Sequence, residues 1–164
     1  MFSTREILNL AVQIEINGEK NYREAVGEIS VAELGNLLEW MADEEARHAK
    51  WFQDLQDSLG SADDNPLADE MNRHLFAEVI GNRSFSLQEV DFAIIRSTNQ
   101  LIRLFIEFEN DSILFYELIQ PFIDGDEARE VLKRIILEEH RHIDRLKDFL
   151  GQDADVAVDQ TGLV

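Results

Sequence analysis

The chain of 164 residues contains no cysteine. Without thiols it can form neither disulfides nor zinc fingers, and it has no cysteine nucleophile and no thiolate ligand for iron. Any metal bound here must therefore take oxygen and nitrogen ligands. Proline and glycine are also sparse, at two and eight residues, while 45% of the residues are hydrophobic. This composition argues against disorder, and the length suits one domain with a sizeable core.

Positive charge is scarce as well. Fifteen basic residues stand against 34 acidic ones, which gives a formal net charge of −19. That balance disfavours nucleic acid and anionic membranes as partners. Apolar runs are short, with none near the roughly 18 residues that a membrane span needs, and the N-terminus shows no signal-peptide pattern. We therefore expect a cytoplasmic protein that has no membrane or nucleic-acid partner.

Four long amphipathic stretches make up most of the chain. In each, apolar residues recur at steps of three and four, which predicts a helix with one buried stripe. Four cap signals precede these stretches, at Ser3, Ser30, Ser97 and Asp124. Between the second and third stretches, residues 61–96 predict a crossover containing two short helical pieces. Residues 152–164 are expected to form a flexible C-terminal tail.

Polar residues interrupt each apolar stripe near its middle. The first and third stripes contain Glu15 and Glu109, and the second contains Glu45 and His48. The fourth contains Glu139 and His142 in the same Glu-x-x-His spacing. On a helix this spacing places a carboxylate and an imidazole on one face, one turn apart. A carboxylate and an imidazole directed at the same point suit a transition metal.

These landmarks repeat with a constant offset of 94 residues. Glu15 corresponds to Glu109, Tyr22 to Tyr116, and the tetrad that ends at His48 to the tetrad that ends at His142. The repeats cover residues 3–57 and 97–151, and no insertion is needed to align them. A repeated helical hairpin joined by a long crossover predicts an all-α, pseudo-twofold four-helix bundle over residues 1–151.

Six side chains would then converge inside the bundle: four carboxylates and two imidazoles. Burying four carboxylates together without counterions would be prohibitive. Protonation could relieve the repulsion, but two divalent cations would balance the four negative charges. The pattern matches dinuclear carboxylate sites, in which two helices each supply Glu and two supply Glu-x-x-His. The predicted metal ligands are Glu15, Glu45, His48, Glu109, Glu139 and His142.

Neighbouring polar and aromatic residues receive secondary assignments. Tyr22 and Tyr116 are interpreted as hydroxyl donors that orient ligand carboxylates, with boundary tyrosines as the alternative. Glu44 and Glu138 also lie one turn before the histidines. We assign them to the outer surface, paired there with the arginines three residues on. Trp40 and Trp51 are expected to pack at helix boundaries. The phenylalanines of the third stretch are expected in the core and two histidines at the surface: Phe105, Phe108, Phe115, His74 and His140.

The chain resembles the rubrerythrin branch of the ferritin-like superfamily over roughly residues 3–151. The resemblance rests on four stretches: EINGEKNY from Glu15, EEARH from Glu44, ENDSILFY from Glu109 and EEHRH from Glu138. It implies two iron ions bridged by Glu45 and Glu139. Glu15 and His48 would complete one iron, and Glu109 and His142 would complete the other.

Two departures from that family bear on function. Rubrerythrins proper carry a rubredoxin-like module with a four-cysteine iron site, so a chain without cysteine needs an external electron donor. They also usually place a seventh carboxylate one turn after the glutamate of helix three, where this sequence has Ser112. Redox-linked movement of an iron towards that carboxylate is not expected here.

The resemblance favours an oxidoreductase that reduces hydrogen peroxide or O2 at the dinuclear site. Two alternatives remain open at this point. One is a ferritin-like ferroxidase that stores or delivers iron, since an acidic surface attracts Fe(II). The other is a structural or regulatory bundle that holds Zn or Mn, because oxygen and nitrogen ligands exclude neither metal. A homodimer is expected, because a lone bundle of this kind often buries an additional face.

Overall fold

A computed structural model of the chain describes residues 4–58, 91–92 and 95–150. Within those ranges the chain forms four long helices. Helix α1 spans Thr4–Glu28 and α2 spans Ala32–Ser58. Helix α3 spans Thr98–Ile119 and is followed by a 3-10 turn at Gln120–Phe122. Helix α4 spans Asp126–Lys147. The all-α, four-helix architecture predicted from the sequence is confirmed.

The helices pair as two hairpins, α1 with α2 and α3 with α4, and the hairpins pack on each other through α1–α3 and α2–α4 contacts. The helix starts keep the sequence offset, because Thr4 and Thr98, like Ala32 and Asp126, are 94 positions apart. Most of the predicted crossover and the whole predicted tail lie outside the described residues, as does His74.

Helix α3 begins as its capping box predicts. The Ser97 hydroxyl accepts a hydrogen bond from the backbone N–H of Gln100, at 3.2 Å. The Gln100 side chain in turn accepts from the backbone N–H of Arg96, at 2.9 Å. Two N–H groups that lack partners within the helix are thereby satisfied.

The predicted caps at Ser30 and Asp124 are each one residue too early. Helix α2 starts at Ala32, and Val31 O accepts the first helical hydrogen bond, from the N–H of Gly35. Helix α4 is preceded by Gly125, whose φ of 88° suits a residue without a Cβ. No side chain caps α4 there. Two acidic residues in its first turn, Asp126 and Glu127, instead interact favourably with the positive end of the helix dipole.

Two hydrophobic clusters fill the bundle, and each draws residues from all four helices. One is built around Leu8, Phe52, Phe115 and Ile119. The other is built around Ala25, Leu38, Phe105 and Leu146. The polar residues of the stripes lie between these clusters along the helices. In the part of the chain that the structure describes, no helix is long and apolar enough to cross a membrane.

Candidate metal centre

The six predicted ligands converge in the middle of the bundle. Their side chains come from all four helices, and each residue is at most 2% exposed. Glu15, Glu45, His48 and Glu139 each present one atom, and these four atoms lie within 4.8 Å of one another. Glu45, Glu109, Glu139 and His142 form a second such group. The structure thus brings together the whole set that the sequence singled out, although their role as ligands stays a prediction.

The two groups share Glu45 and Glu139. Each shared carboxylate therefore lies between the histidines of the two hairpins, the position that a bridging ligand would need. The Nδ1 atoms of His48 and His142 are each 2.9 Å from Glu139, on different oxygens of that carboxylate. The planes of the two imidazole rings lie at 25° to each other, and the ring centroids are 6.4 Å apart.

Several buried atoms of the cluster have no hydrogen-bond partner. They include both oxygens of Glu139, the Nδ1 atoms of both histidines, and one oxygen each of Glu15, Glu45 and Glu109. Contacts of about 3 Å exist between them, but without the direction of a hydrogen bond. Buried polar groups are nearly always satisfied, so such a concentration of unpaired donors and acceptors needs an explanation. Oxygen and imidazole ligands around one or two divalent cations supply it, so the donor set fits a metal centre.

Electrostatics within the cluster are strongly perturbed. Burial, followed by the charges of Glu139 and Glu15, raises the pKa of Glu45 well above its usual value. Burial also raises the pKa of Glu109, to about 7. Burial opposes ionisation of Glu139 too, but the nearby His48 and His142 outweigh it and lower the pKa of Glu139 to about 2. Protons therefore occupy much of the cluster when cations do not.

The histidines hold their protons firmly in the absence of cations. Burial alone would lower the pKa of each imidazole, but the surrounding carboxylates reverse that effect. Glu15 and Glu139 raise the pKa of His48 well above its usual value, and Glu109 is the largest such influence on His142. A divalent cation would have to displace these protons before the imidazoles could bind it.

Tyr22 and Tyr116 each donate a hydrogen bond to a glutamate of the opposite hairpin. The Tyr22 hydroxyl donates to Glu109 and the Tyr116 hydroxyl to Glu15. Both tyrosines are fully buried. Burial and then the neighbouring carboxylate raise the pKa of each phenol well above its ordinary value, so each hydroxyl keeps its proton and can donate.

The outward assignment of Glu44 and Glu138 is wrong in part. Glu44 does pair with Arg47, as predicted, but its other oxygen lies 3.8 Å from Nε2 of His142. Glu138 accepts a hydrogen bond from Nε2 of His48 at 2.8 Å. These carboxylates are only 17% and 24% exposed. Sequence spacing pointed to partners on the same helix, whereas each glutamate lies beside the histidine of the opposite hairpin.

Trp40 is also closer to the centre than expected. Its indole meets the His142 ring edge-on with centroids 5.3 Å apart, and the guanidinium of Arg145 lies 4.2 Å above the indole. Trp51 instead packs against Phe52, as a boundary residue would. The expectations for the α3 phenylalanines and for His140 are confirmed: the former are buried and the latter is exposed.

Comparison with known proteins agrees with this arrangement. The family model described as Rubrerythrin matches residues 6–150. The chain belongs to the rubrerythrin family. Within this rubrerythrin-family chain, the Glu/His cluster and the family together fit a di-iron protein.

Among solved structures, the chain is similar to a Thermotoga maritima protein described as a ferritin-like diiron-carboxylate protein. The two share 22% sequence identity with a TM-score of 0.66, over 89% of this chain and 93% of the other. This likeness bears on the fold, which is ferritin-like. A search of curated proteins finds no match.

Proposed function

We propose that this rubrerythrin-family chain is a di-iron oxidoreductase that reduces hydrogen peroxide or O2. The observation that carries the proposal is the pair of overlapping Glu/His groups, whose buried oxygen and nitrogen atoms lack hydrogen-bond partners. Glu15 and His48 would hold one iron, Glu109 and His142 the other, and Glu45 and Glu139 would hold both. The diiron-carboxylate description of the T. maritima protein supports the same choice of metal.

The charges of this set suit two divalent ions. Four ionised carboxylates balance two doubly charged cations, which leaves a neutral cluster in an apolar interior. Bound iron would supply the electrons: two Fe(II) give two electrons, which with two protons convert one hydrogen peroxide into two waters and leave two Fe(III).

The chain's own residues would prepare the site for that chemistry. Tyr22 and Tyr116 fix the orientation of Glu109 and Glu15 by donating hydrogen bonds to them. The hydrophobic clusters on either side of the centre exclude bulk water along the bundle axis. Glu44 and Glu138 are partly exposed and lie beside the histidines, so they connect the interior to solvent on that side.

The proposal includes a separate electron donor and a homodimer. A chain without cysteine carries no thiolate iron site of its own, so the oxidised centre would be reduced by another protein or by a small reductant. Four large apolar side chains of the described residues are exposed, and a dimer could bury some of them: Ile16, Leu104, Leu114 and Leu137. Light scattering coupled to gel filtration measures the assembly directly.

Stopped-flow oxidation of protein loaded anaerobically with two Fe(II) per chain tests the activity. Mixing with hydrogen peroxide or with O2 in separate experiments, followed by absorbance, is expected to give oxidation much faster than that of free Fe(II). Glu139→Gln, which weakens both iron positions, is the matched variant, and the Zn-loaded protein is the blank. Oxidation no faster than that of free Fe(II) would overturn the proposal.

A ferroxidase that stores or delivers iron is the second candidate, favoured by the net charge of −19, which attracts Fe(II). Aerobic iron titration separates the two. Iron retained far above two ions per chain supports storage, whereas saturation at two per chain with repeated turnover under reductant supports the oxidoreductase.

A further inference from the structure

The two histidines of the centre differ in the hydrogen bonding of their Nε2 atoms, although they occupy equivalent positions in the sequence repeat. The Nε2–H of His48 donates to Glu138 at 2.8 Å. The corresponding pair on the other side, His142 and Glu44, is separated by 3.8 Å, which is beyond hydrogen-bond range. Both carboxylates reach across the boundary between the hairpins, so neither pairing arises from local helix geometry.

The arginines beside the two glutamates also differ. Arg47 donates to Oε1 of Glu44, one turn back on α2, while Oε2 of the same carboxylate faces His142. The arginine at the equivalent position of the repeat, Arg141, is exposed, and the carboxylate of Glu138 bonds to His48. Glu44 is thus hydrogen-bonded to an arginine, whereas Glu138 is hydrogen-bonded to a histidine.

A hydrogen bond to one ring nitrogen determines how the other nitrogen is presented. With its Nε2 proton bonded to Glu138, His48 has its Nδ1 directed at Glu139, 2.9 Å away, and at Glu15, 3.5 Å away. Such a carboxylate partner fixes the tautomer and the ring orientation, and it makes the ligating nitrogen more basic. His142 lacks this bond, and the Trp40 indole packs against its ring instead, with the two ring planes at 87°.

We propose that Glu138 and Glu44 are positioning residues for His48 and His142, and that Arg47, by occupying Glu44, makes the two metal positions unequal. The position that includes His48 fills first and more tightly, and the position that includes His142 fills second. This inference rests on the proposed metal centre, but it concerns the order of binding and the residues that set it.

Anaerobic calorimetric titration with Co(II) tests the inequality. The wild-type protein is expected to bind two ions per chain in two resolved steps. Glu138→Gln is expected to weaken the tighter step by about ten- to hundredfold, because a neutral amide oxygen accepts a weaker bond from the Nε2–H of His48 than a carboxylate does. Glu44→Gln is expected to change the weaker step by less, since that bond is not made in the wild type.

Arg47→Gln tests directly whether Arg47 makes the two metal positions unequal. Released from Arg47, Glu44 can bond to His142, so the weaker step is expected to strengthen and the two steps to approach each other. Arg141→Gln, the same change at the equivalent position of the repeat, is the matched control and is expected to leave both steps unchanged. Circular dichroism of each variant establishes that its helices are intact.

Nitrogen-15 NMR of the Zn-loaded protein gives a readout independent of affinity. Both histidines of the wild type are expected to show metal-bound Nδ1, with a proton retained on Nε2 that exchanges more slowly for His48. In Glu138→Gln the His48 proton is expected to exchange at a rate like that of His142. Two equal binding steps in the wild type, or equal responses to Arg47→Gln and Arg141→Gln, would refute the inference and leave the proposed function intact. Failure to bind Co(II) at all would instead refute the metal centre itself.

Discussion

Single tyrosine hydroxyls connect the two hairpins at the centre. Because Tyr116 donates to Glu15 and Tyr22 to Glu109, each phenol supports a glutamate of a different predicted metal position. We expect Tyr116→Phe to weaken the position of His48 by about tenfold, and Tyr22→Phe to weaken the position of His142 similarly. Co(II) titration of both variants measures this. Each variant controls for the other, because both remove one buried hydroxyl; loss at the same position in both would contradict the assignment.

Among the glycines that the structure describes, Gly18 is the one where an added Cβ would meet neighbouring atoms. A Cβ at this position would lie 3.1 Å from Cζ of Phe108 and 3.3 Å from Oε2 of Glu45. Since both neighbours would have to shift, Gly18→Ala is expected to lower the free energy of unfolding by about 1–3 kcal/mol and to weaken metal binding through Glu45. Thermal unfolding and Co(II) titration measure the two effects.

Gly27 provides the matched control in the same helix, because a Cβ there would meet nothing within 4 Å. Gly27→Ala is expected to stabilise the protein by about 0.5–1 kcal/mol, since alanine loses less backbone freedom on folding. If Gly18→Ala stabilised the protein as much as Gly27→Ala, the close packing at Gly18 would not affect the free energy of unfolding.

At the level of helices, the start of α3 depends on a local signal that can be tested in isolation from the metal. Ser97→Ala removes the acceptor for the N–H of Gln100 and is expected to cost about 1 kcal/mol. Urea denaturation of the metal-free protein measures the loss. Ser97→Asp retains an acceptor and is expected to keep full stability; equal losses in both variants would show that the cap does not stabilise α3.

The helices and the buried polar set were predictable because both leave a periodic trace. Apolar residues at steps of three and four mark the inward stripe, and the 94-residue offset places Glu15 opposite Glu109 and His48 opposite His142. The same reasoning failed where contacts cross between hairpins. Spacing along α4 cannot indicate that Glu138 bonds to His48, because their relation depends on how α4 packs beside α2. The recurrence of Glu44 and Glu138 at the 94-residue offset was the one feature of the sequence that could have pointed to these contacts between hairpins.

Helix starts show a second limit of local patterns. Ser30 and Asp124 have the chemistry of caps, but α2 and α4 start one residue later than those caps imply. At α4 the backbone turns through Gly125 with positive φ, which only glycine adopts readily. Asp124 can accept a hydrogen bond as a cap, but its neighbour Gly125 can adopt the backbone turn, and the turn determines where α4 begins.

For the whole molecule, protons and cations compete for the same interior. Without cations, the raised pKa values of Glu45, Glu109, His48 and His142 mean that the folded state binds more protons than the unfolded chain. Stability from such groups is present at lower pH and is lost as pH rises from the unfolded pKa through the folded one. The opposite effect of Glu139, whose folded pKa is about 2, is confined to acid below about pH 4.5.

The metal-free protein is therefore expected to become less stable between pH 6 and pH 8. In the unfolded chain the glutamates have lost their protons before pH 6 and the imidazoles lose theirs between pH 6 and pH 8, while the folded cluster must either keep its protons or accept unpaired charge. Loading with two Co(II) or Zn(II) replaces those protons, so binding should release protons and strengthen as pH rises. The loaded protein should also have a higher unfolding midpoint, which no longer falls between pH 6 and pH 8.

Thermal unfolding at both pH values, with and without metal, measures the stability difference. Calorimetry in buffers of different ionisation enthalpy counts the protons released. Because the loaded and metal-free forms share the same surface charge, repulsion across the acidic surface contributes equally to both and cancels from the comparison. An unfolding midpoint that fell equally with pH in both forms would place the pH dependence on that surface. Metal binding without proton release would mean that the interior carboxylates are ionised and the imidazoles neutral in the metal-free fold, which would contradict the raised pKa values of Glu45, His48 and His142.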